Sequence, residues 1–170
     1  MGIFIVNDTF AVLIADSIAR ELLDKDRLEH EEASKQIAFC QGEVAGIRNM
    51  ISLIIETELC SAPFIEAMDI HEVLEDLHRI DEDDFIKMVA EIRELTSSRN
   101  FKIFEQKVSE IIESKKNYLF YSADKGRDLD FIHGFRDGIL RIRTNIADIK
   151  HEEEERAKKM PLFDISVLHL

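Results

Sequence analysis

The chain carries one glycine-notched pattern twice, 92 residues apart, and that repetition limits its fold more than any other feature. Phe39 aligns with Phe131, Gly42 with Gly134, Gly46 with Gly138, Ile47 with Ile139 and Ile54 with Ile146. Ile37 answers to Leu129, and Met50 to Ile142. Apolar residues at three- and four-residue spacing predict helices here. A glycine inside a helix costs about 1 kcal/mol against alanine, so four at matching positions need a compensating gain. Glycines four apart share one helix face and leave a notch that a second backbone can approach closely. The pattern therefore predicts that the two helices cross at their notches, within one chain or between chains. Phe39, Gly42, Gly46, Ile47, Phe131, Gly134, Gly138 and Ile139 lie at that crossing. The five identities also suggest an internal duplication.

Small residues at this spacing are best known from membrane helices. Here no apolar run approaches the ~20 residues that a membrane span needs, so only the close-packing logic transfers. With 6 Gly and 2 Pro in 170 residues, few breakers interrupt long helices. Asn7, Asp8 and Thr9 are N-cap types, and Phe10, Leu13, Ile14, Ile18 and Leu22 follow at helical spacing. The stretch 24–35 is very polar, and the apolar stripe resumes from Ile37 to Ile55. This reads as one long, mostly continuous helix, with a short polar turn near 25–31 as the other option. Ser61 and Pro63 mark a restart. Asp69 with Glu72 predicts a capped helix to Ile80, and the acidic run 81–84 opens another, which ends at Ser97 and Ser98. Phe101, Phe104, Val108 and Ile111 mark a further helix to about Tyr121. After a turn at 124–126, a last helix runs from about Asp128 to Lys159 and stops at Pro161. Residues 163–167 alternate with a strand period, and 3–6 are β-prone, so 1–7 and 161–170 are expected as arms around a bundle at 8–160. The expected fold is an all-α single domain of about five helices, the long first and last ones crossing at their glycines.

A net charge of −13 opposes contact with nucleic-acid phosphates and with anionic membranes. It suits a basic protein partner, imitation of nucleic acid by arrayed carboxylates, or plain colloidal solubility. Positive charge gathers at Arg127, Arg136, Arg141, Arg143 and Lys150, which can pair with neighbouring helices or with the acidic face of another subunit. The stretch 152–155 reads as a solvated acidic run supported by Arg156, Lys158 and Lys159. Cys40 and Cys60 stand on what reads as one helical stretch, on the order of 30 Å apart if it is unbroken. They are expected as two reduced thiols in a reducing cytoplasm. The run 3–6 is too short for a signal segment and has no basic flank.

Chemical motifs are sparse. Glu75-x-x-His78 has the spacing of ferritin-like metal helices, and Asp130-x-x-His133 imitates it, but such a site needs further inward glutamates, for which Glu32 and Glu113 are candidates. Glu72-x-x-Glu75 and Glu91-x-x-Glu94 imitate the magnesium-holding clusters of all-α nucleotide pyrophosphohydrolases, yet 35 Asp and Glu produce such spacings by chance. No P-loop, GxGxxG, GxSxG or HExxH is present. No catalytic residue, metal or cofactor is assigned.

The segment 39–48, which holds Phe39, Gln41, Gly42, Glu43, Gly46, Ile47 and Arg48, resembles a helix of small helical bacteriophage proteins encoded near head and packaging genes. That resemblance implies a virion or assembly role. The expected function is accordingly a non-catalytic structural or assembly protein, oligomeric, in a host cytoplasm or a virion, acting through protein partners without direct nucleic-acid or membrane contact. An acidic inhibitor that imitates nucleic acid and a metal-dependent all-α enzyme are the alternatives.

Overall fold

The computed structural model describes residues 3–30, 33–120 and 125–159, and among these every regular element is helical. The order is α1 (Ile3–His30), α2 (Ser34–Glu56), α3 (Ala62–Glu66), α4 (Ile70–His78), α5 (Glu82–Ser97), α6 (Arg99–Phe120), α7 (Lys125–Ile139) and α8 (Arg141–Lys159). The chain is all-α, with eight helices rather than about five among the described residues.

The expected single long first helix is two. Its polar middle has no apolar stripe to bury, and the chain turns there: α1 ends at His30, Ala33 is extended (φ −75°, ψ 118°), and α2 starts at Ser34. The two helices fold back on each other, clamped by Arg20 with Glu43 and by Arg48 Nε on Glu21 Oε1 at 2.9 Å. Helix α1 already begins at Ile3, within the expected N-terminal arm at 1–7. The C-terminal arm at 161–170 lies outside the described residues. Cys60 lies in the connection beyond α2 rather than on the helix of Cys40; both are buried, free thiols.

Local chemistry explains most of the breaks. Helix α2 stops in a Schellman turn: Leu59 N donates to Ile54 O at 3.0 Å and Glu58 N to Ile55 O at 3.1 Å, with Glu58 left-handed at φ 60°. Ser61 caps α3 by accepting from Phe64 N, and Asp69 caps α4 by accepting from Glu72 N at 3.1 Å. Asp81 and Asp84 form a reciprocal capping box at the start of α5. Ser98 separates α5 from α6 and accepts from Phe101 N at 3.2 Å. The expected last helix is interrupted at Leu140, although Leu140 N still donates to Arg136 O and Thr144 N to Leu140 O, so the hydrogen-bond ladder runs across the break between α7 and α8.

One core unites these elements. Phe10, Leu13 and Ile14 of α1 meet Ile47, Met50 and Ile54 of α2, with Phe85 and Ile92 of α5, Phe101 and Phe104 of α6, and Phe135, Ile139, Ile142 and Ile146 of α7 and α8. Asp16 ties α1 to α8 by accepting from Arg141 Nε at 2.9 Å and Asn145 Nδ2 at 2.7 Å.

Candidate functional site

The eight residues singled out at the glycine notches come together on α2 and α7. A Cβ built on Gly42 would lie 1.9 Å from Phe131 O, and one on Gly134 would lie 2.0 Å from Phe39 O. The next turn repeats this, with Gly46 2.2 Å from Phe135 O and Gly138 2.3 Å from Glu43 O. Exchanging each residue with its counterpart 92 positions away maps the first pair of contacts onto each other, and likewise the second. The crossing therefore has a local two-fold relation. Residue numbers rise together on both helices, so α2 and α7 run parallel. Parallel neighbours cannot be joined by a short turn, and α3 to α6 lie in the connection that carries the chain back. At this approach glycine Cα hydrogens meet carbonyl oxygens of the opposing helix, a weak bond that recurs where helices pack closely. Ile47 and Ile139 are fully buried beside the notch, while Phe39 and Phe131 are half-buried. Both notches are filled by this chain's own backbone, and neither offers a surface to a partner.

Beside the crossing, the interface between α1 and α2 encloses a polar cluster that the spacing of the sequence did not single out. Asp24 is fully buried, and neither carboxylate oxygen has a hydrogen-bond partner. Glu43 is also buried and receives Arg20 Nε, which stands 3.7 Å from Asp24 Oδ1. Removal from water is the main force that pushes the Asp24 carboxyl up, to about 7; the neighbouring Glu43 carboxyl adds to it, and Arg20 and Arg27 oppose it. Burial first, then the charges of Asp24 and Glu43, holds the Cys40 thiol above its ordinary value. The available signal was the placement of Asp24 three residues after Glu21, on the stripe that continues from Phe10, Leu13 and Ser17.

The metal-like spacings do not converge. His71 and Arg79 hold Glu75 through contacts of 3.1 and 3.9 Å, and His78 and His133 are exposed. Among the described residues no three His, Cys, Asp or Glu side chains gather so as to hold a metal ion. No helix among them is long and apolar enough to cross a membrane.

A half-open groove of about 520 Å³ lies between α1, the α3–α4 segment and α5. Val12, Phe64, Met68, Leu77, Ile80 and Met88 supply apolar lining. Asp69, Glu72, Asp76, Asp84 and Glu91 supply carboxylates, with Lys87 the cation among the described lining residues. Glu91 is tethered across the groove by the Thr9 hydroxyl. The N-terminal turns of α4 and α5 put Asp69, Glu72 and Asp84 there for a structural reason, since negative charge at a helix start offsets the dipole. Glu72 therefore belongs to both helix stability and the groove, and Asp81 to the capping box of α5. No known family, curated protein or solved structure matches this chain.

Proposed function

We propose that this is a non-catalytic binding and assembly protein whose acid-lined groove seats a basic amphipathic helix of a protein partner. The observation that carries the reading is the groove itself: among the described residues, apolar side chains of α1, α3, α4 and α5 lie together with five carboxylates and one lysine. Helix-in-groove recognition needs an apolar face to bury, and opposite charge then sets orientation and encounter rate. The glycine notches serve this role indirectly, by holding the framework together. The resemblance of residues 39–48 to phage head-region helices would put such a partner in particle assembly. Imitation of nucleic acid is the competing reading of the same carboxylates, but phosphate mimicry has no use for the apolar lining.

The test is calorimetric titration with a helical peptide that carries leucines on one face and lysines on the other, against the same peptide with glutamates. The cationic peptide should bind, and Glu72→Lys with Asp76→Lys should weaken it about tenfold or more. Equal binding of the two peptides, or indifference to the double charge reversal, would sink the proposal. Capture of a DNA-binding protein that duplex DNA displaces would favour mimicry instead.

A further inference from the structure

A second cleft has the opposite character. It lies between α6 and α7, encloses about 120 Å³, and is lined by Lys115, Lys116, His133 and Arg136 around an apolar floor. Among the described residues no carboxylate lines it, although Asp and Glu outnumber Lys and Arg by 35 to 22 in the chain. Helical spacing creates it: 129, 132, 133 and 136 share one face of α7, and 112, 115 and 116 share one face of α6. Leu129 and Ile132 supply apolar surface, and Leu129 remains 40% exposed. Lys115 Nζ rests 5.0 Å over the ring of Phe135. Lys116 has a loose contact with Glu113 at 3.9 Å.

We propose that this cleft binds a short-chain carboxylate, with its chain on Leu129 and Ile132 and its carboxylate held by Arg136 and Lys116. The size limits the ligand to a short chain: about 120 Å³ is well short of the roughly 300–1,000 Å³ of larger ligand sites. The charge sets the head group, because a guanidinium fork matches a carboxylate in two parallel bonds. The apolar floor excludes a purely polar anion, which gains nothing from covering Leu129. The proposal is independent of the groove between α1, α4 and α5.

The test is an amide-shift titration of the full chain with hexanoate, alongside hexan-1-ol and inorganic phosphate. Saturable shifts should centre on residues 112–116 and 129–136, with the alcohol and phosphate each about tenfold weaker or more. Arg136→Gln and Lys116→Gln should each weaken hexanoate about tenfold, and Leu129→Asp should abolish its binding. These side chains are on the surface, and unshifted amides elsewhere report that each variant is folded. The proposal is overturned if no saturable shifts appear, if the alcohol or phosphate matches hexanoate, or if Arg136→Gln binds hexanoate as the parent does.

Discussion

The carbonyl oxygen of Phe131 stands where a side chain on Gly42 would have to begin, 1.9 Å from the position of a Cβ. The obstacle is backbone and cannot turn aside, so a methyl group forces α2 and α7 apart. Gly42→Ala should cost at least about 3 kcal/mol, at the upper end for overpacking. In a chain of this length that lowers the melting temperature by about 6–12 °C. Gly126→Ala, exposed near the start of α7, is the control and should gain up to about 1 kcal/mol from helix propensity. Gly42→Ala combined with Gly134→Ala should cost less than the two single losses together, because one separation relieves both clashes. Thermal unfolding of the four variants decides the matter; a Gly42→Ala protein that melts with the parent would disprove the close crossing.

Asp24 makes stability depend on pH in a direction opposite to most aspartates. Its folded value is raised to about 7, against an ordinary value of 3.8, so the folded chain binds the proton more tightly than the unfolded chain. This contribution is fully present below about pH 4, declines as pH rises to about 7, and is gone above that. Asp24→Asn removes the charge and offers an amide donor in the same buried place. It should flatten this part of the profile and raise stability at pH 8 by on the order of 1–3 kcal/mol. Urea unfolding at pH 4, 6 and 8 measures the difference; parallel profiles for parent and variant would show that Asp24 is not the titrating group.

Much of this architecture could be read from residue order, and the misses have physical causes. The caps at Asp69 and Asp81 were legible because a side-chain oxygen three residues from an open N–H is a local matter. The crossing glycines were legible because their cost demands an approaching backbone. The turn between α1 and α2 was not: residues 24–35 are rich in good helix formers, and the hairpin is decided by which apolar stripes pair, a tertiary effect. The interruption at Leu140 has no Pro or Gly of its own. Asp24 escaped notice because a carboxylate among many looks solvated until packing buries it. The groove and the cleft each draw on helices far apart in sequence, and no single segment announces either.

Glu58 holds a left-handed conformation, φ 60°, that suits glycine better than any residue with a Cβ. The turn needs that conformation to return Leu59 N to Ile54 O. The Glu58 side chain is exposed and has no role in the core. Glu58→Gly should therefore stabilise the chain by about 0.5–1 kcal/mol, while Glu58→Val should destabilise it, since a branched Cβ is strained there. Denaturant midpoints for the two variants should fall on opposite sides of the parent, and midpoints on the same side would contradict the strain assignment.

The two cysteines report on how α1 and α2 hold together. Cys40 and Cys60 are buried, and burial raises both thiols above their ordinary values, so neither should react as a thiolate at neutral pH. An aromatic disulfide reagent should find no fast thiol in the native chain and two after unfolding in guanidinium. Cys40 stands two residues before Gly42, about 200° round α2 from the notch, and faces α1 beside Asp24 and Glu43, whereas Cys60 packs beyond the end of that helix. Loosening α1 from α2 with Arg20→Ala, which removes the partner of Glu43, should therefore expose Cys40 first, and peptide mapping after a short pulse of label should find modification at 40 ahead of 60. Simultaneous labelling of both cysteines would mean that the hairpin opens together with the rest of the core, and prior labelling of Cys60 would place the weak point at the end of α2.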